Sequence, residues 1–451
     1  MQIGWTLAAL ATAQFQPAVE VLELSQGRRG VVFSMPSTNA VGEVAYLSDD
    51  IDDALFPEIR FVPAPGLGAP YTLASEATGF RTPKFWIEEP RSVFLNDQSE
   101  VVAAGTYSPL GIAQSTYLVF TPSGGVRDAT PVTPGVPAVR SLSGGGTINN
   151  SGTVAFGQQG EGSSLEAGVF KFRVGLEPFA MVDQGTAPFY YVSDFPVQVT
   201  DDGLALFQAF KPRGGTPRPS LVLAGPGPGV YTEIVDGTQS GAVLLTHASA
   251  SLSGEIAYAL QDVFAVVQDI RRWNGGSPET LVRAFGVPLA GVCAVESFMA
   301  DYERGGFAIN GAGDLAFVAE TGAHGVGLCL RRADGTGCDD PPLLAIGDTV
   351  EGHEWLGPVT GIELGPRAFG GEGLIAARLR FGDEQAIARI RAVPETGCPP
   401  DLNDDGVLDQ GDIQAFVQLF LSGDPASDLN ADGVLDQGDI QAFVGAFVAG
   451  C

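Results

Sequence analysis

The feature that most constrains the fold is a turn-and-strand pattern that recurs along the body of the chain. In each copy a polar turn with glycine leads into a short apolar strand. Asn tolerates left-handed backbone and Gly takes positive φ freely, while the apolar residues suit a half-buried strand. Successive copies start 57, 53, 51, 51, 59 and 60 residues apart. The copies are "NAVGEVAY" (39–46), "NDQSEVVA" (96–103), "NNSGTVAF" (149–156), "TDDGLALF" (200–207), "SLSGEIAY" (251–258), "NGAGDLAF" (310–317) and the degenerate "GGEGLIAA" (370–377).

Further strands recur between these turns. A second strand is indicated by "TYLVFTP", "AGVFKFRV", "PSLVLAG", "DIRRWNG", "VGLCLRR" and "QAIARIRAV", and a third by "PFAMVDQG", "ETLVRAFG" and "PLLAIGD". With one more short strand before the next turn, each period holds four strands, the content of one β-propeller blade. The sequence therefore predicts a mostly β fold, a seven-bladed β-propeller over 14–394. A stack of β-sandwiches or an open solenoid is the alternative.

The two ends of the body fit a closed ring. The last period ends after "QAIARIRAV", two strands short, and the start of the chain supplies "VEVLELSQG" and "GVVFSMP". Closing the ring with these N-terminal strands would remove the exposed sheet edges. The seven copies also resemble the exported protein family named for its tandem NxxGxxAF repeats, a resemblance that implies export but no particular activity.

A second repeat, at the C-terminus, has the spacing of a calcium-binding loop. "DLNDDGVLDQGDIQAFV" (401–417) returns as "DLNADGVLDQGDIQAFV" (428–444). Oxygen-bearing residues at loop positions 1, 3, 5, 9 and 12, a position-7 carbonyl and glycine at position 6 are the EF-hand pattern, with Asp in place of Glu at position 12. The sequence predicts two Ca²⁺ ions. The predicted ligands are Asp401, Asn403, Asp405, Val407, Asp409 and Asp412, and Asp428, Asn430, Asp432, Val434, Asp436 and Asp439.

Each loop runs into an apolar helical stripe. Ile413, Phe416, Val417 and Phe420 share one helix face, and Ile440, Phe443, Val444 and Phe447 repeat it, so the two stripes are expected to bury each other. The segment 395–451 holds eleven acidic residues and no Lys or Arg. Because so many like charges repel unless a cation lies among them, and because so small a core is thin, calcium binding and folding are expected to be one event.

Cys398 and Cys451 bracket this segment and are interpreted as a disulfide clasp, the alternatives being unrelated thiols or an intermolecular bond. The duplicated loops, their helices and the Gly-Cys brackets resemble a GC-type dockerin domain, found at the C-termini of exported planctomycete-like proteins. The resemblance implies an all-α domain over 395–451 that binds a cohesin-like module or surface scaffold. It also implies that loop positions 10 and 11, Gln410-Gly411 and Gln437-Gly438, help to choose the partner.

Composition and the N-terminus bear on location and partners. The net charge is −29 and there are only three lysines, with no basic stripe, which argues against nucleic acid. An apolar stretch and an A-x-A exit predict a secretion signal over 1–13 that is either weak or truncated, and no later segment is apolar enough to span a bilayer. The protein is therefore expected to be secreted or surface-associated. In the body, Cys338 could pair with Cys329 or with Cys293, which leaves one thiol unpaired.

Catalytic patterns are scarce in the body. The acid pairs Glu88-Glu89 and Asp201-Asp202 could flank a glycosidic bond, but Asp201-Asp202 fills variable turn positions, which favours a structural role. Trp86, Trp273 and Trp355 are interpreted as packing residues. The sequence thus favours a non-catalytic binding and display protein over an enzyme, with no catalytic residues assigned. The alternative is a polysaccharide-active hydrolase or lyase. Polar and acidic side chains from several blades converging at one mouth would favour the enzyme.

Overall fold

The computed structural model describes most of the body and part of the C-terminal segment. The chain divides into two compact units, Pro17–Ala392 and one that includes Val393–Cys451, and each is described by itself. The described residues are 18–25, 31–50, 57–82, 93–110, 112–128, 142–158, 168–172, 179–183, 191–192, 196–213, 216–225, 230–236, 244–261, 267–284, 292–298, 306–322, 325–337, 341–391, 402, 410–422, 427, 429 and 435–449.

The larger unit is a β-propeller in which six sheets are each built from consecutive strands. The first strand in the chain, β1 (Ala18–Leu24), belongs to the closing sheet described below. The first sheet has β2 (Val31–Phe33), β3 (Ser37–Thr38), β4 (Val44–Asp50), β5 (Glu58–Val62) and β6 (Tyr71–Ala74). The second has β7 (Phe80–Arg81), β8 (Val93–Leu95), β9 (Val101–Tyr107), β10 (Ile112–Phe120) and β11 (Val126–Asp128). The third has β12 (Leu142–Ile148), β13 (Val154–Gln158), β14 (Gly168–Phe172) and β15 (Phe179–Asp183).

The next three sheets repeat this plan. The fourth has β16 (Tyr191–Val192), β17 (Gln198–Val199), β18 (Ala205–Arg213), β19 (Thr216–Ala224) and β20 (Tyr231–Val235). The fifth has β21 (Leu244–Ala250), β22 (Ile256–Gln261), β23 (Val267–Trp273), β24 (Glu279–Ala284) and β25 (Cys293–Val295), the last paired in parallel with β24. The sixth has β26 (Ser297–Phe298), β27 (Phe307–Ile309), β28 (Leu315–Thr321), β29 (Gly325–Arg331) and β30 (Leu344–Ala345).

The closing sheet joins the two ends of the body. It contains β1 (Ala18–Leu24), β31 (Gly361–Glu363), β32 (Leu374–Phe381) and β33 (Glu384–Arg391), in the order β1-β33-β32-β31. The prediction of a mostly β propeller, with an N-terminal strand in its last sheet, is confirmed. The role predicted for "GVVFSMP" is wrong, because its strand β2 pairs with β4 in the first sheet. Within each sheet a strand precedes the repeat turn in the sequence, as β31 does in the closing sheet. The closing sheet therefore needed one strand from the N-terminus, not the two that were predicted.

The asparagine that opens a repeat turn has two structural tasks. The Asn96 side-chain oxygen accepts hydrogen bonds from the backbone N–H groups of Gln98 (3.0 Å) and Glu100 (2.8 Å), which closes the turn. Its Nδ2 donates to the carbonyl oxygen of Asn149 in the next sheet, at 2.8 Å. Asn149 does the same to Thr200, at 2.8 Å. The repeat therefore carries its own sheet-to-sheet link, because one amide can donate and accept at once.

The aromatic residue that ends many copies of the repeat fills the core between neighbouring sheets. These side chains are at most 3% exposed, and their burial is a main source of the propeller's stability. They are Tyr46, Phe156, Phe207, Tyr258 and Phe317.

The seam between the closing sheet and the first sheet is ionic. Arg378 pairs with Glu363 and also donates to the carbonyl oxygen of Phe33 in the first sheet, all in buried surroundings. From β1, Glu23 accepts from Arg60 of the first sheet at 3.0 Å. These contacts fix the register in which the ring closes.

The described part of the smaller unit has two helices, α1 (Gln410–Ser422) and α2 (Gln437–Ala449). The rings of Phe416 and Phe443 stack at 4.3 Å and are buried. The expectation that the whole stripes bury each other is wrong for the outer positions. An apolar groove of about 560 Å³ runs between the helices instead. Its partly exposed members are Ile413 (43%), Val417 (47%), Ile440 (41%) and Val444 (52%), with Leu421 at 80%.

Two of the three body cysteines, Cys293 and Cys329, lie in the described part of the chain. Cys293 is disulfide-bonded, with its partner outside the described residues. Cys329 is a free, buried thiol, and burial raises its pKa to about 12. The predicted pairing of Cys329 with Cys338 is therefore wrong.

Neither described helix is long and apolar enough to cross a bilayer.

Candidate functional site at the polar mouth of the propeller

Polar side chains from three consecutive sheets meet on the face that carries the repeat turns. Asp97, Asn150 and Asp201 each follow the first residue of their repeat. The backbone N–H of Ala40 donates to Asp97 Oδ1, that of Asp97 to Asn150 Oδ1, and that of Asn150 to Asp201 Oδ1, each at 2.8 Å. Each of these side chains is thus held by the backbone of the preceding sheet. This second position of the repeat is the signal that the sequence analysis missed.

Asn150 holds two carboxylates at one point. Its Nδ2 donates to Asp97 Oδ2 and to Asp201 Oδ2, both at 2.8 Å. The two carboxylate oxygens therefore lie no further apart than twice that distance. Asp97 and Asn150 are half-buried and Asp201 is exposed, so the group is open to solvent on one side. We call Asp97, Asn150 and Asp201 the mouth triad.

A buried guanidinium contacts the inner strands near the mouth triad. Arg367 donates to the carbonyl oxygen of Ile148 at 2.8 Å and to that of Val199, and its Nε has no hydrogen-bond partner. Burial lowers the pKa of Arg367 to about 10, while the charges of Asp201 and Asp97 act in the opposite direction. The side chain is therefore a cation at neutral pH, and its charge interacts with both carboxylates.

The segment around Arg367 occupies the middle of the ring. The carbonyl oxygen of Arg367 accepts from the backbone N–H of Thr38 in the first sheet, at 2.9 Å. The carbonyl oxygen of Pro366 accepts from Ser249 Oγ in the fifth sheet, at 2.7 Å. A Cβ on Gly370 would lie 2.1 Å from the carbonyl oxygen of Asn39, so only glycine permits this approach. Contacts to four sheets show that the segment lies across the centre of the propeller.

A polar cleft of about 540 Å³ opens beside the mouth triad, between the second and third sheets. Within it Arg127 and Glu100 form an ion pair of 2.8 Å. Asn150 belongs both to the cleft and to the mouth triad, so the two are continuous. The cleft is lined by Ser99, Glu100, Thr121, Arg127, Asn150 and Ser151, among others.

Ser99 has an unusual backbone for its residue type. Its φ is +60°, the only positive φ of a non-glycine residue in the described part of the chain. The corresponding residue of the six other repeats is glycine, with φ between 71° and 97°. The Ser99 hydroxyl donates to Glu43 Oε2 of the first sheet at 2.7 Å. An L-residue in this conformation is strained, and such strain concentrates at functional sites.

Other candidates from the sequence fall elsewhere. Asp201 does lie in a turn, as expected, yet it also belongs to the mouth triad. Trp355 is 70% exposed, so its interpretation as a packing residue is wrong, whereas Trp273 packs against the core. Trp86, Glu88 and Glu89 lie outside the described residues, as do the signal segment 1–13, Cys398 and Cys451.

Three of the predicted calcium ligands are described. Asp412 and Asp439, at position 12 of the two loops, are fully buried in the first turns of α1 and α2. Asp439 Oδ2 accepts from the backbone N–H of Asp436 at 2.9 Å. Among the residues that the structure describes, no three acidic, His or Cys side chains form a metal-binding cluster. The other predicted ligands lie outside that part: Asp401, Asn403, Asp405, Val407, Asp409, Asp428, Asn430, Asp432 and Val434.

The residues predicted to choose a partner begin the two helices. Gln410 and Gly411 open α1, and Gln437 and Gly438 open α2. Both glutamines are exposed, whereas the two glycines are half-buried.

Comparisons with known proteins identify no family. No family model matches the chain. No curated protein matches it either. Among solved structures it is similar to a puromycin hydrolase mutant complexed with PGG (13% identity, 77% of this chain, 50% of that chain, TM-score 0.47) and to prolyl oligopeptidase B from Galerina marginata (12%, 82%, 51%, 0.48). A third is an acylaminoacyl peptidase in complex with a chloromethyl ketone (12%, 66%, 43%, 0.40). The chain spans about half the length of these proteins.

These findings correct the functional prediction. The interpretation as a non-catalytic display protein, and the expectation that the chain is not an enzyme, are not upheld: the similar structures named above are a puromycin hydrolase and two peptidases, and their likeness to this chain is one of fold alone. The mouth triad is also the convergence of polar groups that the sequence analysis expected of an enzyme. At 15% identity or less and TM-scores below 0.5, the similarities identify no reaction or substrate.

Proposed function

We propose that this chain is an exported hydrolase of polysaccharides whose reacting groups are Asp97 and Asp201. The proposal rests on the two hydrogen bonds of 2.8 Å that Asn150 Nδ2 donates to the carboxylates of Asp97 and Asp201. Retaining glycosidases place two carboxyl groups about 5–5.5 Å apart on either side of the scissile bond. The Oδ2 atoms of Asp97 and Asp201 each lie 2.8 Å from Asn150 Nδ2, so they are at most twice that distance apart, which is compatible with this spacing.

The surroundings suit this chemistry. One carboxyl group protonates the leaving oxygen while the other attacks the anomeric carbon, and water then releases the sugar from the second carboxyl group. Backbone N–H groups of the neighbouring sheets hold Asp97 and Asp201, so little reorganisation is needed when charge develops. Arg367 is a buried cation whose charge interacts with both groups.

The C-terminal unit is proposed to be a calcium-dependent, dockerin-like tether. A buried carboxylate is costly unless a cation or hydrogen bonds compensate it, and Asp412 and Asp439 are both fully buried at the loop ends. These donors fit a hard cation such as Ca²⁺, which prefers carboxylate oxygens. The exposed apolar groove between α1 and α2 offers surface that a cohesin-like partner would cover.

Hydrolysis of a polysaccharide panel by the purified chain tests the enzymatic proposal. We expect reducing ends to appear with at least one polysaccharide, and the variants Asp97→Asn and Asp201→Asn each to lower kcat by about 100-fold or more, since each removes one of the two reacting groups.

Asp314→Asn is the matched control. Asp314 accepts from Asn310 within the sixth sheet's turn, outside the mouth triad, so its variant keeps wild-type activity. If Asp97→Asn and Asp201→Asn hydrolyse as fast as this control while all three remain folded, the assignment of the reacting groups is wrong.

A further inference from the structure

We propose that the cleft between the second and third sheets is a binding subsite for a neutral sugar unit of the polymer. This inference rests on the proposed function and adds the class of substrate. The cleft has a volume of about 540 Å³, within the range of small-molecule sites. Its lining includes the hydroxyl-bearing residues Ser99, Thr121 and Ser151, together with Asn150 and the Arg127–Glu100 ion pair. A sugar hydroxyl both donates and accepts, so it can bond to the lone pairs that these hydroxyls keep and to both members of the ion pair, whereas both N–H bonds of Asn150 Nδ2 go to Asp97 and Asp201.

The charge of the cleft selects against ionic ligands. Arg127 Nη2 and Glu100 Oε1 neutralise each other at 2.8 Å, with side chains 30% and 19% exposed. A free anion would have to displace Glu100 from the guanidinium and approach a chain of net charge −29. A cation would have to displace Arg127. A neutral polyol keeps the pair intact and still receives charge-assisted hydrogen bonds from both members.

The position of the cleft links it to the reacting groups. Asn150 lines the cleft and, through the same Nδ2, holds Asp97 and Asp201. A sugar in the cleft therefore lies next to the bond-cleaving carboxylates, as a neighbouring unit of one polymer chain must.

Ser99 gives an independent indication of binding. Its hydroxyl lines the cleft on a backbone that favours glycine, and glycine is present in all six other repeats. Gln98 and Glu100 beside it are held by Asn96 as in an ordinary repeat turn, so the turn itself does not require serine. The serine hydroxyl donates to Glu43 of the first sheet at 2.7 Å, so what it offers to a ligand in the cleft is its oxygen lone pairs, which glycine lacks.

Titration calorimetry of the full chain with neutral and charged hexasaccharides tests the subsite. The probes are hexamers of glucose, xylose and mannose, with a hexamer of galacturonic acid as the anionic comparison, all titrated into the Asp97→Asn variant to prevent turnover. We expect at least one neutral hexamer to bind and the uronic acid hexamer to bind at least tenfold more weakly. In that background Ser99→Gly and Arg127→Gln weaken neutral binding about tenfold, the effect of losing one good hydrogen-bonding group.

Arg272→Gln is the matched control, because Arg272 lies in an ion pair with Glu279 of the fifth sheet, away from the cleft. Ser99→Gly installs the residue of the other repeats, so loss of binding in this variant does not come from misfolding. Equal affinity of Ser99→Gly, Arg127→Gln and the control overturns the subsite, as does preference for the uronic acid. Absence of hydrolysis together with specific loss of binding in these variants overturns the proposed function and leaves the subsite standing.

Discussion

The guanidinium of Arg367 donates a 2.8 Å hydrogen bond to the carbonyl oxygen of Ile148, from the closing side of the ring to the third sheet. The second bond of the same group, to Val199, reaches the fourth sheet. One side chain near the chain's end thus ties together two sheets formed about 170 to 220 residues earlier. The ring is held at its centre as well as at its seam.

Replacement of Arg367 by methionine should lower the stability of the propeller. The carbonyl oxygens of Ile148 and Val199 lose a charged donor, and each buried acceptor left without its partner costs about 1–3 kcal/mol. Urea unfolding followed by tryptophan fluorescence measures the change. Arg81→Met, which removes a half-exposed arginine paired with Glu76, should change stability by less than about 1 kcal/mol. A more stable Arg367→Met protein would show that burying the charge costs more than its hydrogen bonds return.

Gly254→Ala should destabilise the propeller by about 1–2 kcal/mol, the cost of left-handed backbone for an L-residue. Gly254 has φ +97° and open space around its Cβ position, so the effect isolates backbone strain. Gly276→Ala, in the same sheet, is the control, because Gly276 lacks a positive φ and its nearest neighbour is 3.7 Å from the added Cβ. Thermal unfolding by circular dichroism compares the two. Equal unfolding temperatures would contradict the conformational role assigned to the repeat glycine.

Acid should weaken the fifth sheet through Asp269. Burial raises the pKa of Asp269, but hydrogen bonds from Arg283 and Arg271 outweigh it, so the pKa in the folded state lies below its ordinary value of 3.8. A carboxyl group with a depressed pKa contributes stability above its ordinary pKa, and this contribution is lost as pH falls through the folded value.

Urea unfolding at pH 6 and pH 3 should therefore show a smaller loss of stability for Asp269→Asn than for the wild type. Asp383→Asn, on the exposed turn between β32 and β33, is the control for the loss of one acidic side chain. The interpretation fails if Asp269→Asn and the wild type lose the same free energy of unfolding on acidification.

Removal of calcium should unfold α1 and α2 without unfolding the propeller. We expect titration calorimetry of the full chain to find two calcium ions, and Asp412→Asn or Asp439→Asn each to weaken one site about tenfold or more by removing a ligand charge. Asp334→Asn, on a solvent-exposed turn of the sixth sheet, is the control for general charge effects. A chain that takes up no calcium at millimolar concentration would contradict the tether.

Much of the propeller could be predicted because its information is local. Eight residues of sequence are enough to recognise both the turn that opens with Asn96 or Asn149 and a buried strand residue such as Phe156. The strand around Val32 was misassigned because a three-residue strand carries no periodicity, and its partner is chosen by tertiary pairing. The outer positions of the helical stripe were misjudged because spacing defines a face, not what covers it.

The mouth triad could not be recognised for a different reason. Asp97, Asn150 and Asp201 lie 53 and 51 residues apart, and each alone is an ordinary turn residue. Only the closure of sheet against sheet brings them to hydrogen-bonding distance. Alignment of the repeats by the residue after the first would have placed them in one column. Arg367 lies just before the degenerate last copy (370–377), outside the columns that such an alignment compares.

The pairing of β1 with β33 also determines when the propeller ring can close during synthesis. Residues 18–24 leave the ribosome among the first of the body, yet their hydrogen-bonding partners at 384–391 are among its last. Until then the nascent chain carries an unsatisfied strand at each end, a ready template for pairing with other chains. Ring closure therefore waits until the last strand of the body has been synthesised.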